Sequence, residues 1–184
     1  MNPHIQLDDL IQTLTAFRPL LTKVDEAGRI LVDALQKGCK ILTCGNGGSA
    51  ADALHLAEEL SGCYLKRRRA LPGLCLCADP TALTCIANDY GFDHVFARQV
   101  EALGAPGDVL VVFSTSGNSP SILKALETAK SRKLITVALL GKDGGKANGM
   151  ADIEIIVPND ATARIQEVHT FILHGWLEQI DAMI

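Results

Sequence analysis

Four residues in two pairs have the chemistry of a metal site. His55 and Glu59 stand four apart in a stretch of helical periodicity, so both side chains project from one face. Gln166 and His174 stand eight apart in a second such stretch, about two turns, and again share roughly one face. Together they offer two imidazoles, a carboxylate and an amide. Imidazole with carboxylate suits zinc, with glutamine the unusual member of the set. The same types serve equally as a surface pair or as hydrogen-bonded core groups, and spacing alone leaves both readings open.

Two loops have the composition of anion cradles. Cys44-Gly45-Asn46-Gly47-Gly48-Ser49 carries three glycines that permit close backbone approach, with Asn46 and Ser49 as polar side chains. Ser114-Thr115-Ser116-Gly117-Asn118-Ser119 sets four hydroxyls beside backbone N–H groups, and Pro120 follows as a helix opener. A neutral hydroxyl cradle suits a sugar phosphate better than a bulky nucleotide. Each loop taken alone also reads as an ordinary turn. Gly45-x-Gly47-x-x-Ala50 satisfies a loose dinucleotide fingerprint, but the next acid at a strand end, Asp79, lies well beyond the roughly 20-residue spacing of a ribose-binding acid. Asn88-Asp89 reads as a helix-end turn or as a holder of substrate hydroxyls. His4 is expected to be a disordered terminal residue, His94 a solvated helix residue, and His169 a hydrogen-bonded neighbour of the site.

The elements needed to position these groups are legible from periodicity. Residues 7–36 read as helix, interrupted near Pro19. Short apolar runs predict strands at 40–44, 74–77, 108–113, 134–140 and 153–157. Helices are expected at 50–60, 80–88, 93–103, 120–132 and 162–184, with 141–149 a glycine-rich loop. Alternation of strand and helix implies an α/β fold, a parallel sheet covered by helices on both faces. Both loops then fall at strand-to-helix junctions, where open sheets bind ligands.

Composition narrows the function classes. A chain of 184 residues with 48% apolar content supports one core, expected to be a single domain over 1–184 with 1–36 as a helical extension. With 17 basic and 21 acidic residues the net charge is −4, which offers no general attraction for nucleic acid. The run Lys66-Arg67-Arg68-Arg69 reads as a solvated loop from which an arginine reaches an anionic substrate at most. No apolar run approaches the roughly 20 residues needed to span a bilayer, and residues 1–4 do not begin an export signal. A cytoplasmic protein without a membrane partner is expected. Six scattered cysteines form no CxxC pair and read as reduced thiols, mostly buried; Cys75 and Cys77 would share a strand face.

Over nearly its whole length the chain resembles the bacterial phosphoheptose isomerases, sugar isomerase (SIS) domain proteins that act on sedoheptulose 7-phosphate. The resemblance rests on CGNGGSAADALHLAEEL, CIANDYGF, FARQVEALG, GDVLVVFSTSGNS, GKDGGK and ARIQEVH. It implies a single SIS domain with a Rossmann-like or flavodoxin-like three-layer sandwich and a long N-terminal helix. It also implies a homotetramer with sites at subunit contacts, and isomerisation to D-glycero-D-manno-heptose 7-phosphate through an enediol for lipopolysaccharide heptose. Carried over by motif, Asn46, Gly47, Gly48, Asn88 and Asp89 contact substrate, Ser114, Thr115, Ser116 and Ser119 hold its phosphate, and Ser49, Glu59 and Gln166 are counted with them. His55, Glu59, Gln166 and His174 match zinc positions, one ion per subunit, and Glu59 with His174 matches the acid/base pair. Cys63 and Ala163 stand where some members carry arginine and aspartate; Arg67 to Arg69 are expected to compensate for the first. The rival reading is a non-catalytic SIS protein that binds a replication initiator or another protein. The presence of both Glu59 and His174 argues against it.

Overall fold

The strand runs form one parallel sheet because each is apolar on both faces, and only a sheet covered on both sides buries such strands. The computed structural model describes residues 2–184. Its strands are β1 (Ile41–Gly45), β2 (Gly73–Cys75), β3 (Val109–Ser114), β4 (Ile135–Gly141) and β5 (Ile153–Val157), all parallel in the order β2-β1-β3-β4-β5. The helices are α1 (Pro3–Phe17), α2 (Leu21–Gln36), α3 (Gly48–Ser61), α4 (Pro80–Tyr90), α5 (Ala97–Leu103), α6 (Pro120–Ser131) and α7 (Thr162–Met183).

Alternate strand residues enter two cores. Val109, Val111 and Phe113 face a cluster with Leu31 and Leu35 of α2, Leu56 and Leu60 of α3, and Ile172 and Trp176 of α7. Leu110 and Val112 face Val100 of α5 with Ile122 and Leu126 of α6. Each such side chain removed from water contributes about 1.5–3 kcal/mol, so helix α2 is fastened as firmly as the sheet helices. Trp176 completes the join by donating its indole N–H to the Val24 carbonyl, 2.9 Å. Helix α4 contrasts with the others: none of its residues is buried, and Leu83, Ile86 and Ala87 only lean against the second core.

Three expectations, the helix start, the second strand and the buried cysteines, require correction, while the loop 141–149 and the break near Pro19 hold with detail added. The first helix begins at Pro3, because the Asn2 side chain accepts from the His4 N–H and Pro3 fits the first turn; His4 is therefore helical. Strand β2 stops at Cys75, and residues 75–78 turn, with Ala78 N–H donating to the Cys75 carbonyl at 3.2 Å; Cys75 and Cys77 share no strand face. Within the loop 141–149 a 3-10 turn covers Gly145–Ala147. Of the six free cysteines Cys44 and Cys75 are buried, whereas Cys63 and Cys85 are exposed. The break near Pro19 is a 3-10 turn over Arg18–Leu20.

Candidate active site

Strand order reverses between β1 and β3, which places a crevice at their carboxyl ends. The two strands end level, Gly45 opposite Phe113, so the two cradle loops lie side by side. Asn46 ties them, its Nδ2 donating to the Ser121 hydroxyl at 3.0 Å. Between them is a cavity of about 140 Å³ lined by Asn46, Ser49, Ser114, Thr115, Ser116 and Ser119 with Phe113. Ser114 Oγ accepts from Gly117 N–H (3.1 Å) and Ser116 Oγ from Asn118 N–H (3.2 Å), which folds the second loop around its hydroxyls. Ser119 occupies the N-cap of α6 yet makes no capping bond with its side chain. The first turns of α3 and α6 both start at this cavity and present N–H groups without helical partners, a setting that favours an anion.

Helices α3 and α7 run beside each other in the same sense, and polar residues meet at each step. Gly48 faces Gln166: a methyl at Gly48 would stand 2.5 Å from Gln166 Nε2, so the missing side chain is what admits the amide. Asp52 comes next, its Oδ1 accepting from Thr170 Oγ1 at 2.9 Å. His55 then meets His174, ring centroids 5.0 Å apart and nearly perpendicular, and His55 Nε2 lies 3.7 Å from Glu59 Oε1. Thus His55, Glu59 and His174 converge from two helices, and Gln166 stands at the loop end of the same crevice. Ligand atoms of His55, Glu58 and Glu59 lie within 4.8 Å of one another, a nitrogen and oxygen donor set that fits a zinc-like ion.

Asn88 and Asp89 do not join this group. They are exposed at the end of α4, where Asn88 Nδ2 donates to Asp89 Oδ1 (2.8 Å) and Asp89 Oδ2 faces the Cys85 thiol at 3.7 Å. His94, expected to be solvated, is half-buried with Nε2 2.8 Å from Lys124 Nζ. His169 is fully buried under the sheet and donates from Nε2 to the Leu140 carbonyl, 3.1 Å. Burial pushes its imidazole down to about 4, against the small upward effect of that bond, so it is neutral at pH 7.

The basic run is exposed as expected at Lys66, Arg67 and Arg69 and departs from a solvated loop at Arg68 alone. Arg68 is enclosed and paired with Asp181 at 2.8 Å, so it is not free to replace a missing arginine at Cys63; Arg67 and Arg69 are exposed. Four further participants escaped the sequence reading. Asp52 is a signal that was present, three residues before His55 on the same face. Its Oδ2 is buried without a partner, and burial raises its carboxyl above the usual value, more than the Thr170 bond and the His55 charge lower it. Glu58 was hidden by its neighbour Glu59. Thr170 was legible too, four residues from both Gln166 and His174 on one helix face, whereas Tyr64, stacked on His174 with centroids 5.6 Å apart, carries no spacing signal.

Known proteins share this sequence and fold. The family model of the SIS domain matches residues 7–141. A phosphoheptose isomerase of Vibrio cholerae is 48% identical over 94% of this chain and 91% of its own, and one of Campylobacter jejuni is 53% identical over 86% of each. The solved phosphoheptose isomerase of Neisseria gonorrhoeae superposes with a TM-score of 0.92 at 42% identity, covering 97% of this chain and 96% of its own. The Vibrio vulnificus NanR protein, at 12% identity and a TM-score of 0.67, shares the fold alone. On these matches the chain belongs to the SIS domain family, among its phosphoheptose isomerases.

Proposed function

We propose that the chain converts sedoheptulose 7-phosphate to D-glycero-D-manno-heptose 7-phosphate, a ketose-to-aldose isomerisation in the cytoplasm that serves lipopolysaccharide heptose synthesis. The observation that carries the mechanism is the convergence of Glu59 and His174 across α3 and α7 beside a hydroxyl-lined cavity. Ser114, Thr115, Ser116 and Ser119, with the first turn of α6, hold the phosphate. Asn46, Gly47, Gly48, Ser49 and Gln166 hold the sugar. Glu59 takes the proton from C1 of the ketose while His174 protonates the carbonyl oxygen at C2, giving the enediol; Glu59 then delivers the proton to C2 as His174 takes the hydroxyl proton from O1. His55, Glu59, Gln166 and His174 would hold one zinc per subunit, which when bound polarises the carbonyl and steadies negative charge on the enediol oxygens.

Residues 1–184 act as one SIS unit with 1–36 as its helical extension, and the working form is a homotetramer with sites at subunit contacts. Support comes from α4, which buries none of its residues and leaves Tyr90 and Phe92 52% and 58% exposed beside Asn88 and Asp89. A neighbouring subunit that covers this face would use those two residues on its own substrate. Turnover of sedoheptulose 7-phosphate by the zinc-loaded protein tests the reading. Glu59→Gln and His174→Ala, each checked for folding, should lower kcat by about 10²–10⁴-fold; a folded variant of either kind with full turnover would remove that residue from the acid/base pair.

A further inference from the structure

The C-terminal end of α3 is held by a side-chain cluster outside the crevice. Arg68 spends all three guanidinium nitrogens inside the protein: Nε on Asp181 Oδ1 (2.8 Å), Nη2 on the Glu59 carbonyl (2.8 Å) and Nη1 on the Leu60 carbonyl (3.0 Å). The two carbonyls belong to the last turn of α3, where no later helical N–H reaches them; the guanidinium caps the Glu59 carbonyl and shares the Leu60 carbonyl with the Leu71 N–H (2.9 Å), and its charge meets the negative end of the helix. Asp181 is used as fully. Its Oδ2 accepts from the Leu65 and Lys66 N–H groups (2.8 and 3.1 Å), and its own carbonyl accepts from Lys66 Nζ (3.3 Å). Only 6% of the Arg68 side chain and 3% of the Asp181 side chain are exposed.

We infer that Arg68 and Asp181 are a positioning pair that fixes Glu59 against His174. Asp181 lies seven residues beyond His174 on α7 and so on the same face. The pair therefore bolts the last turn of α3, which bears Glu59, to the face of α7 that bears His174. The loop it anchors through Leu65 and Lys66 carries Tyr64, whose ring stacks on the His174 imidazole at an interplanar angle of 17°. One ion pair thus sets the backbone of the base, the helix of its partner and the ring that backs that partner. A buried ion pair is a weak source of stability compared with apolar packing, whereas its directional bonds specify geometry. Displacement of a reacting group by about 1 Å costs about 100-fold in rate.

This inference rests on the assignment of Glu59 and His174 as the acid/base pair. Arg68→Lys keeps the charge but has no fork to span both carbonyls. It is expected to lower kcat about 10- to 100-fold with KM for sedoheptulose 7-phosphate within about threefold. Methylguanidine added to Arg68→Gly should restore kcat, with an equal concentration of sodium chloride as the control. Both variants are assayed below their unfolding temperature, read by circular dichroism. A folded Arg68→Lys with unchanged kcat would overturn the inference. If that variant does not fold, Asp181→Asn is read by the same kcat and KM split; if neither folds, the pair is a stability element only and the inference fails. Loss of turnover in Glu59→Gln beside normal turnover in Arg68→Lys would sink the positioning role and leave the isomerase reading intact. No turnover by the unmodified zinc-loaded protein would sink that reading instead.

Discussion

The crevice between α3 and α7 and the exposed end of α4 both carry polar residues singled out from sequence, and they are built in opposite ways. In the crevice every step is interlocked: Gly48 with Gln166, Asp52 with Thr170, His55 with His174, and beyond them Arg68 with Asp181. At the end of α4, Asn88 and Asp89 bond to each other, with the Cys85 thiol alongside, on a helix that buries nothing. A single chain brings His55, Glu59 and His174, the groups proposed as acid, base and metal donors, together from two helices. The α4 groups are left on a face beside Tyr90 and Phe92, which are 52% and 58% exposed, the face proposed to meet a second subunit.

That contrast is broken or kept most decisively by mixing subunits. Glu59→Gln and Asp89→Ala homomers should each be nearly inactive, losing about 100-fold or more. Co-refolded together, they should regain turnover, because some sites in a mixed assembly combine an intact α3–α7 crevice with an intact α4 end. Absence of recovery, with mixed assembly confirmed by native mass spectrometry, would mean that each chain completes its own site.

A smaller effect sharpens the crevice side. Gly48 has no positive φ, so alanine adopts its backbone without strain, and a helix-start alanine is if anything stabilising by a few tenths of a kcal/mol. The new methyl nevertheless lands against the Gln166 amide, the flexible end of a side chain that can retreat. Gly48→Ala should therefore keep its unfolding temperature while turnover and zinc affinity fall by about 10- to 100-fold. Unchanged affinity and turnover would show that Gln166 does not need its present place.

How much of this was legible beforehand follows the range of the interactions. The strands from 108 to 113 and 153 to 157 and the helix after Pro120 were readable because apolar runs, proline and turn residues act locally. The start of α1 was missed by undervaluing an equally local signal, Asn2 before Pro3. The short β2 could not be read, since Cys75 to Cys77 is apolar and only the turn at 75–78 stops pairing. In the site, intervals of four and eight residues placed His55 with Glu59 and Gln166 with His174, but nothing in spacing says that α3 and α7 lie side by side. Arg68 shows the limit plainly: a basic run looks solvated unless one knows that Asp181, 113 residues later, lies beneath it.

The smallest expected effect separates stability from binding within the phosphate cradle. A serine at a helix N-cap usually contributes about 1 kcal/mol by accepting from a first-turn N–H, so its replacement by alanine usually shows in the unfolding curve. Ser119 makes no such bond, while Ser114 and Ser116 accept from the loop backbone. Ser119 lines the cavity, and on the proposed function its hydroxyl binds the phosphate. Ser119→Ala should therefore leave the unfolding midpoint unchanged and raise KM for sedoheptulose 7-phosphate about tenfold, the worth of one hydrogen bond to a charged phosphate. The reverse outcome, a lower midpoint with KM unchanged, would return Ser119 to an ordinary capping role and place the phosphate on the other hydroxyls of the loop.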